Sequence, residues 1–426
     1  MNKINTLRAT VIASALMAGA AWATDGYFPH GYGMKALGMG GASVAMTDNA
    51  FAGANNPATA SFAGNRAELG VNVFMPKRAA DEGMGTGYVE SGSKTFFVPE
   101  FGYNTDFNDK ISGGVTVYGN GGMNTDYPTG GIYSLAGQGA KTGVNLMQLI
   151  IAPTASYKLS ETTSLGLSPL LVYQSFKADG LAGFSNYSNA PSALSGNGSD
   201  GSTGLGVRLG FFSKVTKEVS MGASYSPKIK MSKLDKYRGL FASGGSFDIP
   251  ENYAFGVAFQ ATPAVKIAVD YERINYSKVP AVGNQSANII DCMMSGSNTD
   301  SRCLGGASGP GFGWSDVNVV KLGAEWVYSS SVTFRAGYNS STNPVKSSNV
   351  TFNILAPGVI TKHYTLGGSY KLARDTELTW AYMYAPKNSV SGDYLLNPVS
   401  PPSQQLGTQT IRMSQQSLGV QYGWKF

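Results

Sequence analysis

The sequence predicts an all-β fold: a 14-stranded antiparallel transmembrane β-barrel with an N-terminal plug, or hatch, inside its lumen. Three observations predict it. A secretory leader opens a chain that later carries no apolar run long enough for a membrane helix. About fourteen segments then alternate apolar and polar residues, and short polar turns take turns with long connections between them.

The leader reads MNKINTLRATVIASALMAGAAWA: Lys3 and Arg8, an apolar stretch, then Ala21-Trp22-Ala23 as an A-x-A cleavage site. That is the layout of a signal peptide. Residues 1–23 are accordingly read as the signal, 24–65 as the plug and 66–426 as the barrel. Charged residues make up 14% of the chain and glycine contributes 55 residues, against roughly 25% charged and about 7% glycine in soluble domains. A secreted chain of this composition without helical spans has one way to cross a bilayer, a closed barrel in which every backbone polar group is paired strand to strand. The compartment is the bacterial outer membrane, with outer-membrane lipid and lipopolysaccharide as surroundings and a monomer as the expected state. A net charge of +6, or +4 without the leader, gives nucleic-acid binding no electrostatic support.

The strands begin with AELGVNVFMP, TFFVPEFGYN and KISGGVTVYG. They continue through LIIAPTASYKL, SLGLSPLLVYQSF, GLGVRLGFFSKV, EVSMGASYSPKIKM, ENYAFGVAFQAT, VKIAVDYERINYS, VVKLGAEWVYS, VTFRAGYNSS, HYTLGGSYKLA and ELTWAYMYAP, and end with SQQSLGVQYGWKF. Between them TDFND, KLSETT, TKE, TPA, SSS and ARDT are short turns, whereas the alternate gaps are long. Turns in the periplasm and loops outside the cell are the pattern of outer-membrane barrels.

Period-2 alternation assigns the faces. Val265, Ile267, Val269 and Tyr271 oppose Lys266, Asp270 and Glu272; Leu378, Trp380, Tyr382 and Tyr384 oppose Glu377 and Thr379; Val332, Phe334 and Tyr338 oppose Thr333, Arg335 and Asn339. A Lys or Arg facing lipid near mid-membrane costs about 2 to 4 kcal/mol, so the charged rows face the lumen. By the same parity Phe74, Phe96, Val98, Leu170, Val172, Phe176 and Phe212 also face inward. They pack against a plug or ingoing loop, or they contact a ligand; either way the lumen is not a simple aqueous bore. The inward charges Lys266, Asp270, Glu272, Lys321, Glu325, Arg335 and Glu377 can pair to anchor the plug, and Arg335 is a candidate for binding a carboxylate.

Cys292 and Cys303 frame CMMSGSNTDSRC, which reads as a disulfide-closed loop in an oxidising compartment. No His lies in that segment, so no metal is expected, and no cofactor. The two histidines, His30 and His363, stand alone in the sequence without a nucleophile grouping, so no enzymatic activity is expected.

Ahead of the first strand, GYGMKALGMGGASVAMTDNAFAGANNPATAS is rich in Gly and Ala, with a helix-compatible DNAFAGA stopped at Asn56-Pro57. This stretch resembles the hatch of the FadL-type family of outer-membrane channels for long-chain fatty acids and aromatic hydrocarbons: a Gly-rich start, an A-x-x-D-x-A stretch, then NPA at Asn56, Pro57 and Ala58. VYGNGGMNTDY, SYSPKIKMSKLDKYRG, IPENYAFGVAFQATPAVKIAVDYERINYSK, WSDVNVVKLGAEWVY, FRAGYNSSTNPV and the terminal aromatic are similar as well.

The resemblance implies passive uptake of a hydrophobic molecule. Ligand is captured among the outer loops, passes to an internal pocket, is released by movement of the hatch, and leaves sideways at a kink in the third strand. The kink would fall at Gly119, Asn120, Gly121 and Gly122, where glycine permits a bulge; an ordinary Gly-rich loop start is the alternative. In the loops, Leu181, Phe184, Leu240 and Phe241 are the apolar candidates for the capture groove. A general diffusion porin for small polar solutes and a structural or adhesin barrel are the rival functions.

Overall fold

The computed structural model describes residues 25–85, 87–128 and 141–426; the expected leader, 1–23, lies outside them. Fourteen long strands follow one another round the wall. They are β1 Arg66–Asp81, β2 Phe96–Asp106, β3 Ile111–Tyr127, β4 Thr142–Lys158, β5 Thr163–Asp179, β6 Asp200–Lys214 and β7 Val219–Ser226. The second half comprises β8 Asn252–Thr262, β9 Val265–Ile274, β10 Val317–Val327, β11 Val332–Ser341, β12 Lys362–Ala373, β13 Thr376–Asp393 and β14 Thr408–Lys425. Each pairs antiparallel with its chain neighbours, and β14 returns to β1 with Lys425 opposite Arg66 and Thr410 opposite Asp81, which closes the barrel. A two-residue strand, Val89–Glu90, adds to the top of β1.

The two faces of each strand are those of a membrane barrel. In β14 the outward Leu418, Val420 and Tyr422 are 50%, 46% and 44% exposed, while the intervening Ser417 and Gln421 are buried. The apolar row is therefore the exposed one, as a lipid-facing band requires. Among the described residues no helix is long and apolar enough to cross a membrane.

Several strands run further than alternation alone indicates. Alternation ends β3 at Gly119 and starts β4 at Leu149, whereas the ladder carries β3 to Tyr127, opposite Thr142. These upper parts rise above the apolar band, where the outward face no longer needs to be greasy and the hydrophobic signal fades.

Within the barrel, residues 25–65 form a compact plug with single-turn helices at Met34–Gly38, Ala52–Asn55 and Ala60–Ala63. Asn56 ends the second of these. Its Oδ1 accepts from the Ala58 amide at 3.1 Å, while its Nδ2 donates to the carbonyls of Val44 and Phe211, both at 2.8 Å. One side chain thus caps the next turn and ties plug to wall. Gly166 and Gly210 face this point, and a Cβ on either would overlap the Asn56–Pro57–Ala58 backbone. The wall is glycine where the plug lies directly against it.

Candidate functional site

The extracellular half of the lumen is apolar. Four loops converge there, and a pocket is lined by Val144 and Phe176 of the wall with Leu181, Phe184, Leu194, Leu240, Phe241, Leu304, Phe312, Phe352 and Leu355 among the loop residues. Among the described residues no charged or hydrogen-bonding side chain lines it. Its rings meet edge to face, Phe176 with Phe241 at 4.6 Å and Phe184 with Phe352 at 5.8 Å between centroids. The free volume is about 50 Å³, below the roughly 150 Å³ of an apolar cavity that takes up benzene. A ring enters only as the loops spread.

Leu304 owes its place to the Cys292–Cys303 disulfide, which closes the loop just before it. The Leu304 amide donates to the Tyr187 carbonyl at 2.9 Å and its carbonyl accepts from Asn189 at 2.9 Å, locking two loops together.

The periplasmic half is filled by the plug and held by charge. Lys35 of the plug is buried and contacts Glu377 at 2.5 Å, Glu68 at 3.8 Å and Asp48 at 4.0 Å. Arg335 pairs with Glu325 at 2.7 Å and approaches Asp48 at 3.9 Å. Three wall carboxylates also accept plug amides: Asp270 from Ser43 and Val44, Glu100 from Gly33, and Glu68 from Ala50, at 2.7 to 3.0 Å. Carboxylates meeting backbone N–H groups make strong hydrogen bonds.

The top of the plug is clamped separately. The Tyr276 hydroxyl donates to the Asp25 carbonyl at 2.6 Å and accepts from the amides of Tyr27 and Phe28 at 3.1 and 3.3 Å. His30 stacks on His363 of β12, with centroids 5.5 Å apart. Burial pushes the His30 imidazole down to about 3, with the nearby Lys321 charge acting in the same direction.

Between these halves the wall is incomplete. Phe101–Asp106 of β2 pair with Ser112–Val117 of β3, but above that point the two strands part. Phe96–Glu100 pair with β1, and Tyr118–Tyr127 pair with β4. Higher up, the Gly92 amide reaches the Asp126 carbonyl at 2.6 Å and bounds the opening. The ladder between β3 and β4 slips register between Gly119 and Gly121, and Gly121 has φ of 144°, a conformation that other residues rarely adopt. Directly behind the bulge lies the plug: the Gly122 amide donates to the Tyr27 carbonyl at 3.3 Å. Asn120 accepts from Tyr32 at 3.2 Å and donates to Gln148 at 3.0 Å, which in turn donates to Gln174 at 3.1 Å.

The residues singled out in the sequence distribute unevenly over these features. Leu181, Phe184, Leu240 and Phe241 all line the loop pocket, joined by Phe176. Leu170 and Val172 belong to the apolar cluster around it. Phe74 and Phe96 lie together at the upper wall, 6.4 Å apart, with the Arg78 guanidinium over the Phe96 ring. Val98 packs on Met34 and Leu37 of the plug, and Phe212 on Phe62, 5.0 Å away. Arg335 lies in the charged belt, away from the pocket lining. Sequence reasoning missed Val144, Leu194, Leu304, Phe312, Phe352 and Leu355; the only signal was a few apolar residues inside otherwise polar loops, such as GFGW and FNILAPG.

Residues 10–426 match the profile of the family described as Outer membrane protein transport protein (OMPP1/FadL/TodX). The chain belongs to this family. Membership and the closed barrel place it in the bacterial outer membrane as a transport protein. A search of curated proteins returned no match. Among solved structures, the toluene transporter TodX of Pseudomonas putida is 19% identical, with 93% of this chain and 99% of that one covered and a TM-score of 0.67. The toluene transporter TbuX of Ralstonia pickettii gives 19%, 93%, 99% and 0.63. A FadL homologue of Pseudomonas aeruginosa gives 15%, 94%, 100% and 0.67. At these identities the likeness shows a shared fold.

Proposed function

We propose that this family member carries out passive uptake of small, uncharged hydrophobic molecules, captured in the loop pocket and released sideways through the opening between β2 and β3. The observation that carries the reading is the lining of the pocket: aromatic and aliphatic side chains with no cation to receive a carboxylate. Arg335, the carboxylate candidate, is occupied by Glu325 in the belt below. A neutral ring therefore fits better than an ionised fatty acid, in keeping with neighbours of this fold that are toluene transporters.

Burying some 150 Å² of ring surface at about 25 cal/mol per Å² supplies roughly 4 kcal/mol, enough for weak capture from water. Release sideways keeps that gain, because the solute passes from one apolar medium to another. In this reading Gly119, Asn120, Gly121 and Gly122 form the gate, and departure of Tyr27 from behind the bulge opens it.

The test is uptake in a strain lacking the gene, complemented with the wild type, using labelled toluene, oleate and a small sugar at equal concentration. Toluene uptake restored well above oleate and sugar supports the reading. Restored sugar flux with a large steady conductance in planar bilayers makes the protein a porin and removes it.

A further inference from the structure

On the outer wall, beside the opening, a groove of about 700 Å³ crosses β4, β5 and β6, with Ile151, Leu171, Tyr173, Leu205 and Lys230 among its lining residues. A smooth apolar band does not need such a depression. Its depth in the bilayer follows from strand geometry. Tyr173 stands ten residues above the periplasmic start of β5 at Thr163, and Lys230 stands eleven above the start of β7 at Val219. At roughly 3.3 Å per residue and about 40° of tilt, both lie about 25 Å up, at the outer edge of the apolar band. Leu171 and Ile151 lie lower, within the outer leaflet.

The chain beyond β7 sets the charge at that edge. Ile229 and Met231 point inward and are buried, Met231 bridging to Gly204, so Lys228 and Lys230, which alternate with them, point out. Lys228 has a loose contact with Asp248 at 3.9 Å. Lys230 makes no ion pair among the described residues, and no carboxylate lines the groove. A cationic head above an apolar trough is the complement of a lipid with an anionic headgroup over acyl chains.

We propose that this groove is a docking site for the phosphorylated, multiply acylated lipid of the outer leaflet, the lipid A part of lipopolysaccharide: one acyl chain in the trough between Leu171 and Leu205, and a phosphate on Lys230 and Lys228. The inference rests on placement in the outer membrane and not on the uptake reading. Bound lipid would form part of the bilayer near the opening between β2 and β3, since β3, which carries one side of the opening, pairs with β4, which carries one side of the groove.

The experiment is native mass spectrometry of the full-length mature barrel in detergent, titrated separately with lipid A, dephosphorylated lipid A, phosphatidylglycerol and inorganic phosphate. One lipid A per chain is expected, with binding weakened about tenfold or more in Lys228→Glu/Lys230→Glu. Leu205→Asn is expected to weaken lipid A binding without changing the barrel's heat-modifiable migration. Dephosphorylated lipid A binding as well as lipid A, phosphatidylglycerol competing equally, or an unchanged affinity in the charge-reversed variant would overturn the proposal. Toluene uptake measured on the same variants separates the two claims, because loss of lipid binding with intact uptake leaves the transport reading standing.

Discussion

Above the plug the inward side chains are Leu170, Val172, Phe176, Phe241 and Phe247; beside and below it they are Glu68, Glu100, Asp270, Lys321, Glu325 and Arg335. The same barrel thus offers an apolar solute a favourable upper chamber and then a belt of buried charge, each member already engaged with the plug or, as Lys321 with Glu272 and Glu325 with Arg335, with a neighbouring wall charge. Displacing the belt leaves charges unpaired in a closed space, which is costly. Parting β2 from β3 higher up breaks no ladder hydrogen bonds, because there the two strands are not paired. The contrast explains why the low-cost way out for a greasy molecule is sideways.

The contrast breaks most completely if the opening is filled. Gly119→Trp or Gly122→Trp is expected to reduce toluene uptake by at least about tenfold while leaving the folded, heat-modifiable barrel intact; normal uptake would remove the lateral route. Charge in the upper chamber should act next most strongly. Phe241→Asp places a carboxylate among the rings of Phe176 and Phe247, where an unpaired charge is strongly unfavourable, and uptake at low toluene concentration should fall several-fold.

In the belt, Lys35→Met removes the cation shared by Glu377, Glu68 and Asp48. The plug should loosen by about 3 kcal/mol, read as ion conductance in planar bilayers and faster amide exchange over residues 33–50, with uptake less affected. Asn56→Ala, which loses one cap, one hydrogen bond within the plug and one from plug to wall, should cost about 1 to 2 kcal/mol of plug stability by the same exchange measurement.

The last effect is one of pH. His30 in the folded plug titrates near 3, below its ordinary 6.5, so the fold favours the neutral ring. That contribution is complete above pH 6.5 and is lost as pH falls towards 3, by about 1.4 kcal/mol per pH unit within that window. Exchange protection of the plug, corrected for intrinsic rates, should fall on acidification relative to that of His30→Phe, which keeps a ring against His363 and leaves the plug's other titrating groups in place.

How far the sequence carried the account depends on which physical constraint each part obeys. Strands in the apolar band were legible because lipid on one side and a filled lumen on the other enforce strict alternation, as at Val265–Tyr271 and Leu418–Phe426. Upper β3 was not, because Gly119–Tyr127 stands at the opening and above the band, where neither face is held to a pattern. The loop pocket was half legible: Leu181, Phe184, Leu240 and Phe241 stood out as apolar residues in polar loops, whereas Phe312 and Phe352 join them only because four distant loops fold together. Phe212 and Val98 faced inward as parity required, yet at the plug; alternation gives the face and not the height. The lumen charges showed their sign and direction in sequence, but their partners, plug amides and Lys35, are visible only in three dimensions.

The most direct test fixes the lower plug in place and asks whether transport continues. Ser61 of the plug and Ser156 of β4 bring their Oγ atoms to 2.6 Å, so Ser61→Cys/Ser156→Cys places two thiols within reach of each other and can be oxidised to bond plug to wall. Toluene uptake at the same rate in the oxidised and reduced forms is the predicted result. Uptake that stops on oxidation and returns on reduction would contradict the account, because the solute would then be leaving through the charged belt.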